Sequence, residues 1–111
     1  MKTPPSFSLH DLEAIVARRA EADPDESYTA RLIGEGVGAC AQKLGEEAIE
    51  TVIAAIDQDR DSLRDEVADL LFHLMVLLQS RNLPLDDVLE ELARRTGQSG
   101  LAEKASRTIE D

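Results

Sequence analysis

The strongest constraint on the fold is a pair of apolar repeats flanking one short polar break. From Val37 to about Ile56, Val37, Leu44, Ala48, Val52 and Ala55 recur at helical spacing. From Ser62 to Arg81, so do Leu63, Val67, Leu70, Leu71, Leu74, Leu77 and Leu78. Both stretches keep the 3.6-residue period over several turns, which excludes a half-buried strand. Only DQDRD, Asp57 to Asp61, lies between them. So short a connection joins antiparallel neighbours, and a helical hairpin is expected.

Further helices are predicted around that hairpin. Ser8, with Asp11 three residues on, forms a capping-box pattern ahead of Leu9, Leu12, Ile15 and Val16, so a first helix runs from Leu9 to about Ala22. Ser27 caps a short helix from Tyr28 to Ile33, which stops at Gly34 to Gly36. Pro84 opens a last one, Leu85 to about Arg95. The tail after it reads as loop, with a short helix from Leu101. Leu and Ala dominate the apolar residues and there is no Trp, which favours helix packing over a sheet. The expected fold is all-α: residues 1–111 as a single domain, an antiparallel bundle of four main helices completed by homodimerisation. The motive for the dimer is that Leu71, Leu74 and Leu78 spread apolar surface beyond one neighbour's width.

Charge narrows the partners. The formal net charge is −11, with 23 acids against 12 Lys plus Arg, so the overall field repels nucleic-acid backbones and anionic membranes. An anionic ligand would need a bound cation or a few placed bases. Cys40 is the only cysteine; it reads as a small helix-face hydrophobe in a reducing compartment. The N-terminal stretch has no uninterrupted apolar segment and no run approaches the ~18 residues of a membrane span. A soluble, cytoplasmic protein is expected.

The acids are not scattered evenly over the hairpin. Glu47 and Glu50 share a face of its first helix, bordering Leu44 and Ala48, and Glu66, Asp69 and His73 line one face of the second beside Leu70 and Leu77. The midpoints of the two carboxylate pairs lie equidistant from Gln58. In an antiparallel hairpin the pairs are therefore level, and helix axes ~8–10 Å apart let the four side chains converge. Such a cluster repels itself unless protonated or bridged by a cation. All-oxygen ligands suit Mg²⁺, or Mn²⁺, rather than zinc. The competing reading is a solvated acidic face, since acids at this spacing are common in so acidic a chain. A di-iron bundle is disfavoured because it needs Glu-x-x-His pairs, whereas Glu66 is followed by Asp69 and His73 stands seven residues on.

GEEAIE and EVAD on consecutive helices resemble the metal-binding signature of the all-α, MazG-like nucleotide pyrophosphohydrolases. With SYTARL (Ser27–Leu32), AQKLGEEAIETVIAA (Ala41–Ala55), DEVADLLFHLMVLL (Asp65–Leu78) and SGLAEKASR (Ser99–Arg107), the chain is similar over nearly its whole length to the phosphoribosyl-ATP pyrophosphatases. The resemblance implies a helical homodimer and an enzyme of histidine biosynthesis. It implies Mg²⁺-dependent hydrolysis of phosphoribosyl-ATP to phosphoribosyl-AMP and pyrophosphate. Carried over residue by residue, Glu47, Glu50, Glu66 and Asp69 match the metal ligands, and Glu46, Glu47 and Glu50 the catalytic motif acids. Phe72 stands where many relatives carry Tyr, and Gly38 and Ala39 occupy a stretch that is often basic. A dNTP-directed pyrophosphatase and a non-enzymatic dimerisation module are the alternatives. SYTARL and SGLAEKASR favour phosphoribosyl-ATP over dNTPs, and four level acids argue against the module.

The remaining candidates keep two readings each. Lys43 is either an i, i+4 ion-pair partner of Glu47 or a phosphate contact. His73 either bonds the Asp69 carboxylate or is an ordinary satisfied histidine, and Tyr28 is either a core ring or a wall of the ribose and base pocket. Lys104 and Arg107 are candidates for phosphate contact or for tying the tail across a dimer. Arg94 and Arg95 suit the end of a helix. His10 reads as surface.

Overall fold

The hairpin forms as its apolar spacing predicts. The computed structural model describes residues 6–97. Helix α1 spans Leu9–Ala20, α2 Tyr28–Gly34, α3 Val37–Asp57, α4 Arg60–Ser80 and α5 Leu85–Thr96. All regular structure among the described residues is helical, and no helix there is long and apolar enough to cross a membrane. The fold is all-α. The tail, with Lys104, Arg107 and the short helix expected from Leu101, lies outside the described residues.

Local chemistry sets the helix ends. The Ser8 hydroxyl accepts from the Asp11 N–H at 3.1 Å, and the Asp11 carboxylate accepts from the Ser8 N–H at 2.9 Å. Helix α1 ends at Ala20, two residues before the sequence boundary, because the Glu21 N–H turns back onto Arg18 and Arg19 carbonyls. Gly36 precedes α3 at φ +108°, a conformation that strains any residue with a Cβ. The break between α3 and α4 shrinks to Gln58 and Asp59. Asp59 accepts from the Ser62 N–H at 2.8 Å, which starts α4 before the expected Ser62.

The hairpin of α3 and α4 is the principal packing unit, and α1 and α2 pack on it. The core lies at one end of this hairpin, where Val16, Leu32, Cys40, Met75, Val76 and Leu85 are buried. Cys40 is fully buried, as its small apolar character predicts. Helix α5 is moored to α1 by polar ties: Glu13 accepts from the Leu85 N–H and exposed His10 bonds Asp86, both at 2.7 Å.

The expected apolar stripe of α3 is corrected in one respect. Val37, Val52 and Ala55 are exposed, and the side turned inward carries Cys40, Glu47, Thr51 and Ala54. Helix α3 is apolar around more than half its circumference, so periodicity alone could not choose its buried side. The small residues Cys40, Thr51 and Ala54 let α4 approach closely on that side. Ile49, Val52, Ile53 and Ile56 are left in the open, 45–74% exposed.

Ser27 shows how α2 is fastened. Its hydroxyl donates to the Arg19 carbonyl at 2.8 Å and accepts from the Ala30 N–H at 3.1 Å, so one buried group both caps α2 and ties it to α1. Ser27→Ala should cost about 1–2 kcal/mol, read as a lower urea midpoint at unchanged slope.

Candidate metal centre

Register brings the acids together. The Thr51 hydroxyl lies 2.8 Å from the Glu47 carbonyl and 3.3 Å from that of Glu66, so α3 and α4 are level as the symmetry about Gln58 requires. Glu47, Glu66 and Asp69 each present an oxygen within 4.8 Å of the others. Glu47 is only 7% exposed, Glu66 is half-buried and Asp69 is exposed. The cluster thus runs from the helix seam outward.

Burial and mutual repulsion both act on these acids. Burial raises the pKa of Glu47 most, followed by the Glu50 and Asp69 carboxylates, with His73 opposing. Glu66 is raised by desolvation, then by Glu50, Asp69 and Glu47. Glu50 is exposed and acts on both neighbours, although its oxygens are not among the three that converge most closely. Oε2 of Glu47 and Oε2 of Glu66 are both buried without a hydrogen-bond partner. Unpaired buried carboxylate oxygens are costly. Two of them in an all-oxygen cluster are suited to a hard divalent cation.

A cleft of about 350 Å³ opens beside the cluster, lined by Tyr28, Leu32, Glu35, Ala39, Gln42, Lys43 and Glu46. Lys43 connects the two features, with Nζ 3.6 Å from Glu46 and 3.8 Å from Glu47. Its pKa is raised, most by the Tyr28 oxygen and then by Glu46 and Glu47. Glu46 is exposed on the cleft side and accepts from the Gln42 amide at 3.1 Å. On the helical projection it lies about 100° around α3 from Glu47, and both carboxylates reach the Lys43 ammonium.

His73 joins the cleft to α4. Its Nδ1 lies 2.9 Å from the Asp69 backbone carbonyl, and its Nε2 lies 3.2 Å from the Tyr28 hydroxyl. A carbonyl cannot donate, so Nδ1 carries a proton, and in the neutral ring Nε2 is left to accept from Tyr28. The bond to Asp69 is therefore to its backbone and not to its carboxylate. Tyr28 is 43% exposed, a cleft wall with a tethered hydroxyl and not a core ring. Phe72 packs edge-on to His73, with ring centroids 5.2 Å apart.

The seam and the cleft also bring in Thr51, Glu35 and Gln42. Thr51 lies about 40° from Glu47 on a helical projection. That signal was available, but nothing in the sequence distinguished its hydroxyl from an ordinary helix-face threonine.

The family model described as phosphoribosyl-ATP pyrophosphohydrolase matches residues 9–96, from α1 to the end of α5. This chain belongs to the phosphoribosyl-ATP pyrophosphohydrolase family. Among its curated relatives, the phosphoribosyl-ATP pyrophosphatase of Agrobacterium fabrum strain C58 is 64% identical, over 92% of this chain and 95% of that protein. The protein of the same name from Rhizobium meliloti strain 1021 is 63% identical, over 91% and 94%. That from Methylobacterium nodulans is 58% identical, over 92% and 95%. The pyrophosphohydrolase match covers Glu46, Glu47, Glu50, Glu66 and Asp69, together with Tyr28, Lys43 and His73.

The raised acids set a pH dependence for the metal-free protein. Above the ordinary carboxylate pKa the folded state holds protons on Glu47 and Glu66 that the unfolded chain releases, so stability falls as pH rises through that window. Glu91 works the other way. Arg94 and Arg95 hold it at about 2, so its contribution is full above the ordinary carboxylate pKa and is lost as pH falls toward 2. In EDTA, Tm should pass through a maximum in mildly acidic buffer, and excess Mg²⁺ should raise Tm most on the alkaline side. Differential scanning fluorimetry across pH, with and without Mg²⁺, checks both.

Proposed function

We propose that this chain hydrolyses phosphoribosyl-ATP to phosphoribosyl-AMP and pyrophosphate, the second step of L-histidine biosynthesis, as a Mg²⁺-dependent cytoplasmic homodimer. The observation that carries the reading is the pair of unpartnered buried oxygens on Glu47 and Glu66, set beside an open cleft of about 350 Å³. The family match and the relatives' names support the substrate.

In this reading Glu47, Glu50, Glu66 and Asp69 hold the cation, with Mn²⁺ as a substitute for Mg²⁺. When bound, the ion supplies Lewis acidity toward the phosphate oxygens and makes a nearby water more acidic. The chain's own residues do the rest. Among the described residues Lys43 offers the cleft's lining its one positive charge, against Glu35 and Glu46, and contacts phosphate. Tyr28, held by His73, forms a wall for ribose and base. Glu46 and the cluster acids Glu47 and Glu50 position the attacking water for in-line displacement at the α–β bond. Lys104 and Arg107, outside the described residues, are the tail's candidates for phosphate contact or for a tie across the dimer. A covalent route finds no nucleophile in Cys40, which is fully buried with its thiol pKa pushed up by desolvation.

The dimer rests on Ile49, Val52, Ile53 and Ile56, an open aliphatic face on α3, with half-exposed Val67, Leu70 and Leu71 in the same half of α4. The protomer's radius of gyration, 16.6 Å, exceeds the ~13 Å of a compact chain of about this size. Covering that face with a second copy buries aliphatic surface that a lone protomer leaves in water.

Two measurements test the reading. Pyrophosphate release from phosphoribosyl-ATP, run beside a dNTP panel, should depend on Mg²⁺ and cease with chelator. One solvent oxygen should enter product in ¹⁸O-water. Glu50→Gln and Asp69→Asn should each lower turnover by at least about 100-fold while keeping the helical spectrum. Orthophosphate release, or activity undiminished by EDTA, would overturn the assignment. In sedimentation at micromolar concentration the protein should run as a dimer and Ile53→Glu as a monomer; a wild-type monomer would remove the dimer.

A further inference from the structure

We infer that Thr51 is a positioning residue for the metal centre, holding the backbones of Glu47 and Glu66 at the separation their carboxylates need. Its hydroxyl lies between two main-chain carbonyls, 2.8 Å from that of Glu47 on its own helix and 3.3 Å from that of Glu66 across the seam. These are the two residues whose Oε2 atoms are buried without a partner. One side chain therefore ties together the main chain that carries both. The inference rests on the cation reading of the cluster.

A threonine bonding back to the i−4 carbonyl is common in helices and carries no functional meaning by itself. The second contact is what distinguishes this one. The Glu66 carbonyl belongs to the opposite helix, and the single hydroxyl proton is shared toward it in a three-centre arrangement. That contact fixes the relative level of the two backbones at this point of the seam, where fractions of an ångström matter to the carboxylates. Mg²⁺ accepts little displacement, because its oxygen ligands lie at about 2.0–2.1 Å in near-octahedral geometry. Groups that orient metal ligands without touching the ion govern affinity by about 10–100-fold. Thr51 does so through the backbone of the acids and not through their carboxylates.

Valine has nearly the shape of threonine and no hydroxyl, so Thr51→Val removes the tie at almost constant volume. The readout is the Mg²⁺ concentration at half-maximal thermal stabilisation, measured alongside Tm in EDTA. Thr51→Val should raise that concentration about tenfold, with a small change of Tm in EDTA, and Thr51→Ser should stay within about twofold of wild type. The Mg²⁺ dependence of kcat should shift in parallel. If the valine variant does not fold, Thr51→Ala against Thr51→Ser gives the same comparison. A valine variant that loses stability in EDTA but keeps the wild-type Mg²⁺ midpoint overturns the inference, leaving Thr51 a structural residue. So does a serine variant as impaired as valine. A wild-type protein that Mg²⁺ does not stabilise sinks the cation reading itself, and the role of Thr51 with it.

Discussion

Carboxylates of like charge held in the seam between two packed helices are the arrangement on which the rest of this structure depends. Such a seam opposes its own formation, because desolvation and mutual repulsion both act against ionised Glu47 and Glu66. Apolar burial elsewhere has to offset that cost. It does so at the far end of the same hairpin, where Val16, Leu32, Cys40, Met75, Val76 and Leu85 close a core. The acids thus stand toward the less covered half of α3 and α4, close to solvent and to a cleft, while the hairpin is anchored beyond them.

Net charge and site chemistry fit the same logic. The overall field of a chain of formal charge −11 repels a nucleotide's phosphates. The cleft's lining holds one lysine against two glutamates. The acidic cluster beside the cleft is a group of carboxylates that could hold a metal ion, and on the proposed reading that ion would supply positive charge for an anionic ligand. Lys43 is drawn toward Glu46 and Glu47, so it stands between the acidic cluster and the cleft.

Small polar contacts decide how firmly these parts are related. Tyr28 reaches α4 through His73, whose other nitrogen bonds the Asp69 backbone. The cleft wall and a residue of the acidic cluster are therefore joined across elements distant in sequence. Thr51 makes a comparable link between α3 and α4. Neither link adds much apolar burial. Their effect is geometric, and geometry matters most where a small, stiff ion is to be held.

The all-α class, the hairpin, the caps at Ser8 and Ser27 and the level placement of the acid pairs were legible in the linear chain. Each follows from local periodicity, from side-chain-to-backbone bonding within a few residues, or from counting about a short loop. The inward side of α3 was not legible. Ile49, Val52, Ile53 and Ile56 satisfy an apolar pattern as well as Leu44 and Ala48 do, and only close packing against α4 selected the side with Cys40, Glu47, Thr51 and Ala54. Nor could spacing show that His73 bonds a backbone carbonyl and a tyrosine hydroxyl, because its partner Tyr28 is 45 positions away. Sequence by itself determined which acids could meet, since the helical repeat fixes what shares a face. Tertiary structure decided which of their oxygens are left buried and unpaired, because burial depends on what the neighbouring helix brings to the seam.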